Sequence, residues 1–397
     1  MPPRRRGELV VTRRLSSYAP FALNLVEQAT LTLNSLALNI LIFALFETGS
    51  GILMQAITVA ILVSVTSTLV NALSTWRILD HSEAGVAHVT IAELLAIAAI
   101  CVAATAAVSL STRAEVDVAT LLALLLTSSA FYFLRDVLIY LRSIPVLIAV
   151  NLVTILPIAA LYLQVGGDGA EQMGIWGVFQ IAYLIPRLGV VVILGIMVVR
   201  VAGPASTLSL GAPSFSRKSF TRCIASLSVA GRQHAPYFIL NALGLPLMAE
   251  LFRRFFLTIS PIAQVLQANY AFFLPRKESG HLLIPSLAMA CVAGICGSFL
   301  LMLVFLQDGG GPGTYAYIAV LAVLMCLRAL IFIRNRVRHD YGREIAASVA
   351  VVASAAVYAS VLTQGLATHY VIYVFAVNEL VYLASSLAMK GNRGKTP

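Results

Sequence analysis

Charge is what this chain lacks. Asp, Glu, Lys and Arg make up 11% of its 397 residues, 59% are hydrophobic, and the mean hydropathy is +0.91. A water-soluble chain of this length cannot cover its surface with so few charges. Apolar runs of about twenty residues, the length that crosses hydrocarbon as a helix, recur from end to end. Alternation is also missing: Leu188 to Val199 and Ile345 to Leu362 do not alternate apolar with polar residues, which excludes the alternating strands of an outer-membrane barrel. The expected fold is all-α and polytopic.

Other scarcities narrow the chemistry. The five cysteines (Cys101, Cys223, Cys291, Cys296 and Cys326) form no CxxC pair and have no His at ligand spacing. They read as small core residues, with no disulfide, metal or cofactor expected. Acidic residues inside the apolar stretches are few; Glu27 and Glu379 are the notable ones, and neither has a second carboxylate nearby in sequence to mark a sodium site. No leader is expected either. Residues 1–16 form a basic arm, and the apolar stretch after it is too long for a signal peptide and lacks a small-residue cleavage site.

Stretches bounded by charge, Gly or Pro place about twelve spans near 17–45, 51–76, 87–110, 117–134, 144–164 and 175–199, then 222–245, 250–274, 282–306, 314–333, 345–364 and 369–389. The Gly/Pro/Ser-rich run 203–219, within a linker of 201–221, divides them into an amino-terminal lobe (17–200) and a carboxy-terminal lobe (222–389), with a tail at 390–397. Val70 to Gly85 faintly echoes Gln267 to Gly280, each closing the second span of its half, as parallel repeats would. With both termini cytoplasmic, 21 of the 27 Lys and Arg residues fall on the inner side, Arg135 and Arg142 among them. The net charge of +10 is then topological, and nucleic acid is not an expected partner.

Polar residues inside these spans are not scattered. Asn24, Gln28, Thr32, Ser35 and Asn39 draw a stripe along the first helix, with Glu27 at its flank. Ser64, Ser67, Asn71 and Thr75 do the same on the second, His234 and Asn241 share a face of the seventh, and Arg253, Ser260, Gln264 and Gln267 line the eighth. Helix–helix hydrogen bonding can explain any single Ser or Thr; four stripes on the first two helices of each lobe point to a wet cavity. Arg187 and Arg232 lie near the middle of their spans, about 15 Å from either end at 1.5 Å per residue, beyond easy snorkelling. A guanidinium there costs several kcal/mol unless it faces protein, water or an anion. Arg187 follows Pro186, so it either satisfies a kinked backbone or meets a ligand. Arg232 sits in GRQHAP, where Gly231 and Pro236 predict a bent or partly unwound helix. Arg328, near a helix end, is expected to snorkel, and Glu27 to neutralise a cavity arginine or carry a coupling proton.

Two six-helix lobes with polar seams on their first two helices resemble the multidrug/oligosaccharidyl-lipid/polysaccharide exporter superfamily, and within it the lipid-linked oligosaccharide flippases of polysaccharide biosynthesis. The run LPLMAELFRRFFLTISPIAQVLQANYAFFLPRKESG, Leu245 to Gly280, is similar to their eighth helix. The resemblance implies two bundles around a central cationic cavity and alternating access that carries a polyprenyl-diphosphate-linked oligosaccharide outward. It implies a transporter of a bacterial inner membrane rather than an enzyme. Arg232, Arg187, His234, Arg253 and Arg254 would meet the anionic head group, and Asn24, Gln28, Asn39, Asn71, Asn241, Gln264 and Gln267 the sugar. Partners would be membrane lipids and glycan polymerase or ligase proteins. The alternatives are a multidrug-type cation-coupled exporter, which would favour cavity carboxylates, and a membrane-embedded acyltransferase or polymerase. The latter's one candidate pair is His339 and Asp340 in RNRVRHDYGRE, adjacent residues that point apart on a helix.

Overall fold

The computed structural model describes the backbone of residues 5–80, 98–106, 116–140, 143–164, 170–202, 217–273, 280–305, 312–337, 340–364 and 368–389, with side chains for most of these. The linker centre and the last eight residues lie outside the described residues, as do residues 81–85 and 274–279 of the two echoing segments. Among the described residues every regular element is helical: α1 (Arg5–Leu45), α2 (Gly51–Asp80), α3 (98–106), α4 (Val118–Tyr140), α5 (Ile144–Val153), α6 (Ile155–Gln164), α7 (Ala170–Phe179), α8 (Ile185–Ala202), α9 (Arg217–Ala242), α10 (Pro246–Phe273), α11 (Gly280–Phe305), α12 (Pro312–Val337), α13 (Tyr341–Leu362) and α14 (Val374–Ala388). Among the described residues seven stretches are long and apolar enough to cross a bilayer, and the protein is an all-α polytopic membrane protein.

Prolines decide where spans break. The stretch expected at 144–164 is two helices meeting at Thr154, because Pro157 has no amide to offer the Val153 carbonyl and its ring crowds that oxygen. Before Pro186 the chain inserts a π turn, Gln180–Leu184, in which the Ile185 amide reaches back to the Gln180 carbonyl. α10 continues through Pro261, where the orphaned Leu257 carbonyl accepts the Ser260 hydroxyl at 2.7 Å. α9 likewise runs unbroken through Gly231 and Pro236, so the expected unwinding is absent.

Helix packing gives two bundles. In one, α1 packs on α5 and α6, α2 on α4, and α4 on α8; in the other, α9 packs on α13, α10 on α11, and α12 and α13 on α14. α11 comes close to α10 because it is bare there: a Cβ on Gly294 would stand 2.8 Å from the Ile262 Cα, and one on Gly297 3.1 Å from Pro261 Cβ. The bundles face each other through α1 against α10 and α2 against α9, the helices that carry the polar stripes.

Candidate functional site

The amino-terminal lobe buries an ion pair. Glu27 is fully buried, and Arg135 of α4 grips it with a two-pronged fork: Nε donates to Oε1 at 2.7 Å and Nη2 to Oε2 at 2.6 Å. The same Nη2 donates to Gln28 Oε1 at 2.8 Å, and the Asn151 amide approaches Glu27 at 3.4 Å. Arg135, counted by sequence among the inner-side anchors, is therefore an interior residue. Glu27 neutralises it rather than one of the arginines singled out above.

Arg187 lies in the same lobe, directly after the π turn. Its guanidinium carbon stands 3.8 Å from the Phe131 ring centre, and Nη2 donates to the Tyr183 hydroxyl at 3.2 Å. Nε and Nη1 have no partner, and the residue is buried. The π turn already rearranges the backbone bonds ahead of Pro186, and the guanidinium bonds to a phenol, so no backbone role explains it. Stacking on aromatic faces offsets part of the burial cost, about 2 kcal/mol where desolvated.

Arg232 belongs to the carboxy-terminal lobe. With Gln233, Phe252, Phe256, Ser260, Arg328, Asn378 and Glu379, it lines a cavity of about 40 Å³ enclosed by α9, α10, α12 and α14. That is room for two or three waters and too little for a diphosphate. Arg232 thus faces the interior of its own lobe and not the space between lobes. Its guanidinium carbon is 4.4 Å from the Tyr382 ring centre, and Nη1 has no partner. Arg328 does not snorkel: it is buried and pairs with Glu379 at 2.6 Å. Glu379 and Glu344 both lend Arg232 negative charge from nearby, without an ion pair.

The remaining residues lie where the lobes meet or outside the described set. Arg253 is buried, donates Nη2 to Asn39 Oδ1 across the interface at 3.1 Å, and leaves Nε without a partner. Arg254 pairs with Glu250 at 2.8 Å and lies 4.4 Å from the Phe43 ring centre. His234 is buried against Phe256, with ring centres 5.3 Å apart. Asn241 is exposed at the end of α9 and does not join Arg232. Asn24, Asn71, Gln264 and Gln267 lie outside the residues whose side chains are described, and His339 lies outside the described residues. Among the described residues no group of three His, Cys, Asp or Glu converges to hold a metal.

Sequence reading missed Arg135, the pairing of Arg328 with Glu379, and Tyr237, whose hydroxyl donates to the Met54 carbonyl of the other lobe at 3.0 Å. Partners 108 and 51 residues apart leave no spacing signal. The usable hint was that a carboxylate inside an apolar span needs a cation.

No protein-family model matches the chain, and no curated protein matches it by sequence. Solved structures do. The chain shares its fold with a multidrug resistance MATE family transporter of the MOP superfamily in an outward-facing conformation, at 15% identity and a TM-score of 0.57 over 93% of each chain. It is similar at 14% identity and 0.54, over 92% of each chain, to a MOP superfamily transporter from Pyrococcus furiosus Vc1 whose binding pocket has reversed polarity, suggesting a different function for that protein. A MATE in complex with MaL6 matches at 14% identity and 0.54 over 93% of each chain. The fold is that of the MOP transporters.

Proposed function

We propose that the protein is a transporter of the bacterial inner membrane, both termini cytoplasmic, that moves a polyprenyl-diphosphate-linked oligosaccharide from the inner to the outer leaflet by alternating access. One observation carries this reading. Among the described residues Arg187, Arg232 and Arg253 are each at least 94% buried, each keeps an N–H without a partner, and none forms an ion pair, while Glu27, Glu250 and Glu379 are matched by arginines and the buried Glu344 lies near Arg232. Buried guanidinium N–H groups left without a partner suit an anionic cargo. A diphosphate offers the acceptor oxygens such donor forks match, and it cannot cross hydrocarbon alone. A cation exporter needs the opposite balance, free carboxylates.

The 40 Å³ cavity beside Arg232 must widen to admit a head group, so binding requires Arg328 to shift with respect to Glu379 or α9 to move relative to α10. The polyprenyl tail stays in the bilayer while the head crosses. The test is mass spectrometry of lipid co-purifying in mild detergent, with reconstituted protein assayed for flipping of a lipid diphosphate. Enrichment of an anionic glycolipid supports the reading. Efflux of organic cations with no lipid enrichment overturns it in favour of a multidrug-type exporter.

A further inference from the structure

The lobes are fastened at one end, that of the α1–α2 turn, and the fasteners differ in kind. The Gly49 amide donates to Glu250 Oε2 at 2.9 Å, and Glu250 is also held by Arg254. Tyr237 bonds the Met54 carbonyl, and Leu36, Leu257 and Phe305 form an apolar seam beside them. Gly49 permits this closure: its φ is +76°, and a Cβ there would stand 3.0 Å from Leu247 Cδ2. Arg253 is the exception. It is a buried cation held across the seam only by a neutral amide, Asn39 Oδ1, with Nε unused.

A neutral amide is a weak partner for a buried guanidinium. That bond is charged on the donor side alone; a phosphate adds a full opposite charge and can be gripped by two parallel N–H groups, so an anion that reaches Arg253 outcompetes Asn39. We infer that Arg253 is the latch that couples cargo to opening: it ties α10 to Asn39 of α1 when the transporter is empty, and passes to the anionic head group when cargo arrives, releasing the seam. Arg254, already matched by Glu250, takes no part in the exchange. The latch rests on the function proposed above, and extends it by assigning one named bond to the step between binding and opening. Energetically it requires only that the anion favour the unlatched state over the latched one.

The test uses the full chain in nanodiscs carrying Leu257→Cys, a seam position that is 3% exposed. Modification by a polar maleimide is quantified at that peptide by mass spectrometry, with and without undecaprenyl diphosphate and with uncharged undecaprenol as control. Lipid binding is measured on the same samples. The diphosphate, not the alcohol, is expected to raise labelling roughly tenfold, the worth of one charge-assisted bond. Arg253→Gln should label strongly without lipid and no longer respond. Asn39→Asp, which replaces the weak partner with a carboxylate, should bind the lipid yet stay unlabelled. Binding without a rise in labelling, or an Asn39→Asp chain that responds as the parent does, overturns the latch and leaves the proposed function standing. Failure of the lipid to bind overturns both.

Discussion

Arg135 holds Glu27 through two parallel hydrogen bonds of 2.7 and 2.6 Å inside the amino-terminal lobe, joining α4 to α1 where neither is exposed. Removing Glu27 leaves Arg135 only the longer 3.5 Å ion pair to Asp136, and removing Arg135 leaves Glu27 buried without an ion pair among the described residues. Glu27→Gln is expected to cost about 3–5 kcal/mol, and Arg135→Gln on top of it much less than its own single change. Thermal unfolding of the four proteins in detergent measures this coupling. Additive losses would show that the two groups act independently.

Arg232→Ala, in a chain that expresses and folds, is expected to reduce export of lipid-linked glycan at least about tenfold while its synthesis continues. Arg232→Lys should retain part of the function, since it keeps charge but loses the planar fork. Surface glycan and lipid-linked precursor are measured together; unchanged surface glycan refutes the role.

Gly294→Ala is expected to destabilise the chain by about 1–3 kcal/mol, because the new methyl meets backbone of α10 at 2.8 Å rather than a movable side-chain end. Gly313→Ala, with nothing within 4 Å, serves as the control and should be close to neutral. Melting temperatures of the two variants decide it.

Asp117 caps α4 from outside the apolar span, accepting from the Thr120 amide at 3.0 Å and from its hydroxyl at 2.6 Å. These bonds hold the carboxyl below its ordinary range. A depressed carboxylate stabilises the fold above its unfolded value, about pH 3.9, and that contribution fades as pH falls through the folded value. Asp117→Asn should flatten the dependence of melting temperature on pH below about 4. The group is largely in solvent, so the effect is small; an unchanged slope contradicts the cap.

Helicity and the two-bundle plan were legible because hydrocarbon imposes a length on every span and the Gly/Pro/Ser-rich linker interrupts them at the midpoint. The breaks were partly legible. Pro157 splits its span, yet Pro236 and Pro261 do not, since at Pro261 a neighbouring serine hydroxyl covers the freed carbonyl. The positions of Arg187 and Arg232 along the chain announced buried charge. What lies opposite them depends on helix rotation and on residues far away in sequence, so Phe131 beside one and Tyr382 beside the other could not be read. The stripe on α1 was visible, but its division of labour was not: Gln28 serves Arg135 within the lobe, and Asn39 serves Arg253 across the interface.

The π turn at Gln180–Leu184 amounts to one extra residue wound into the sixth span. Each residue of an α-helix advances the wheel by about 100°, so shortening this segment by one residue would restore a regular helix and swing everything beyond it around by that angle. Arg187 would then leave the face it shares with Phe131, and the lipid-facing side chains of α8 would turn inward together. The surplus residue sets the azimuth of a whole half-span, and the orientation of Arg187 is inherited from that insertion.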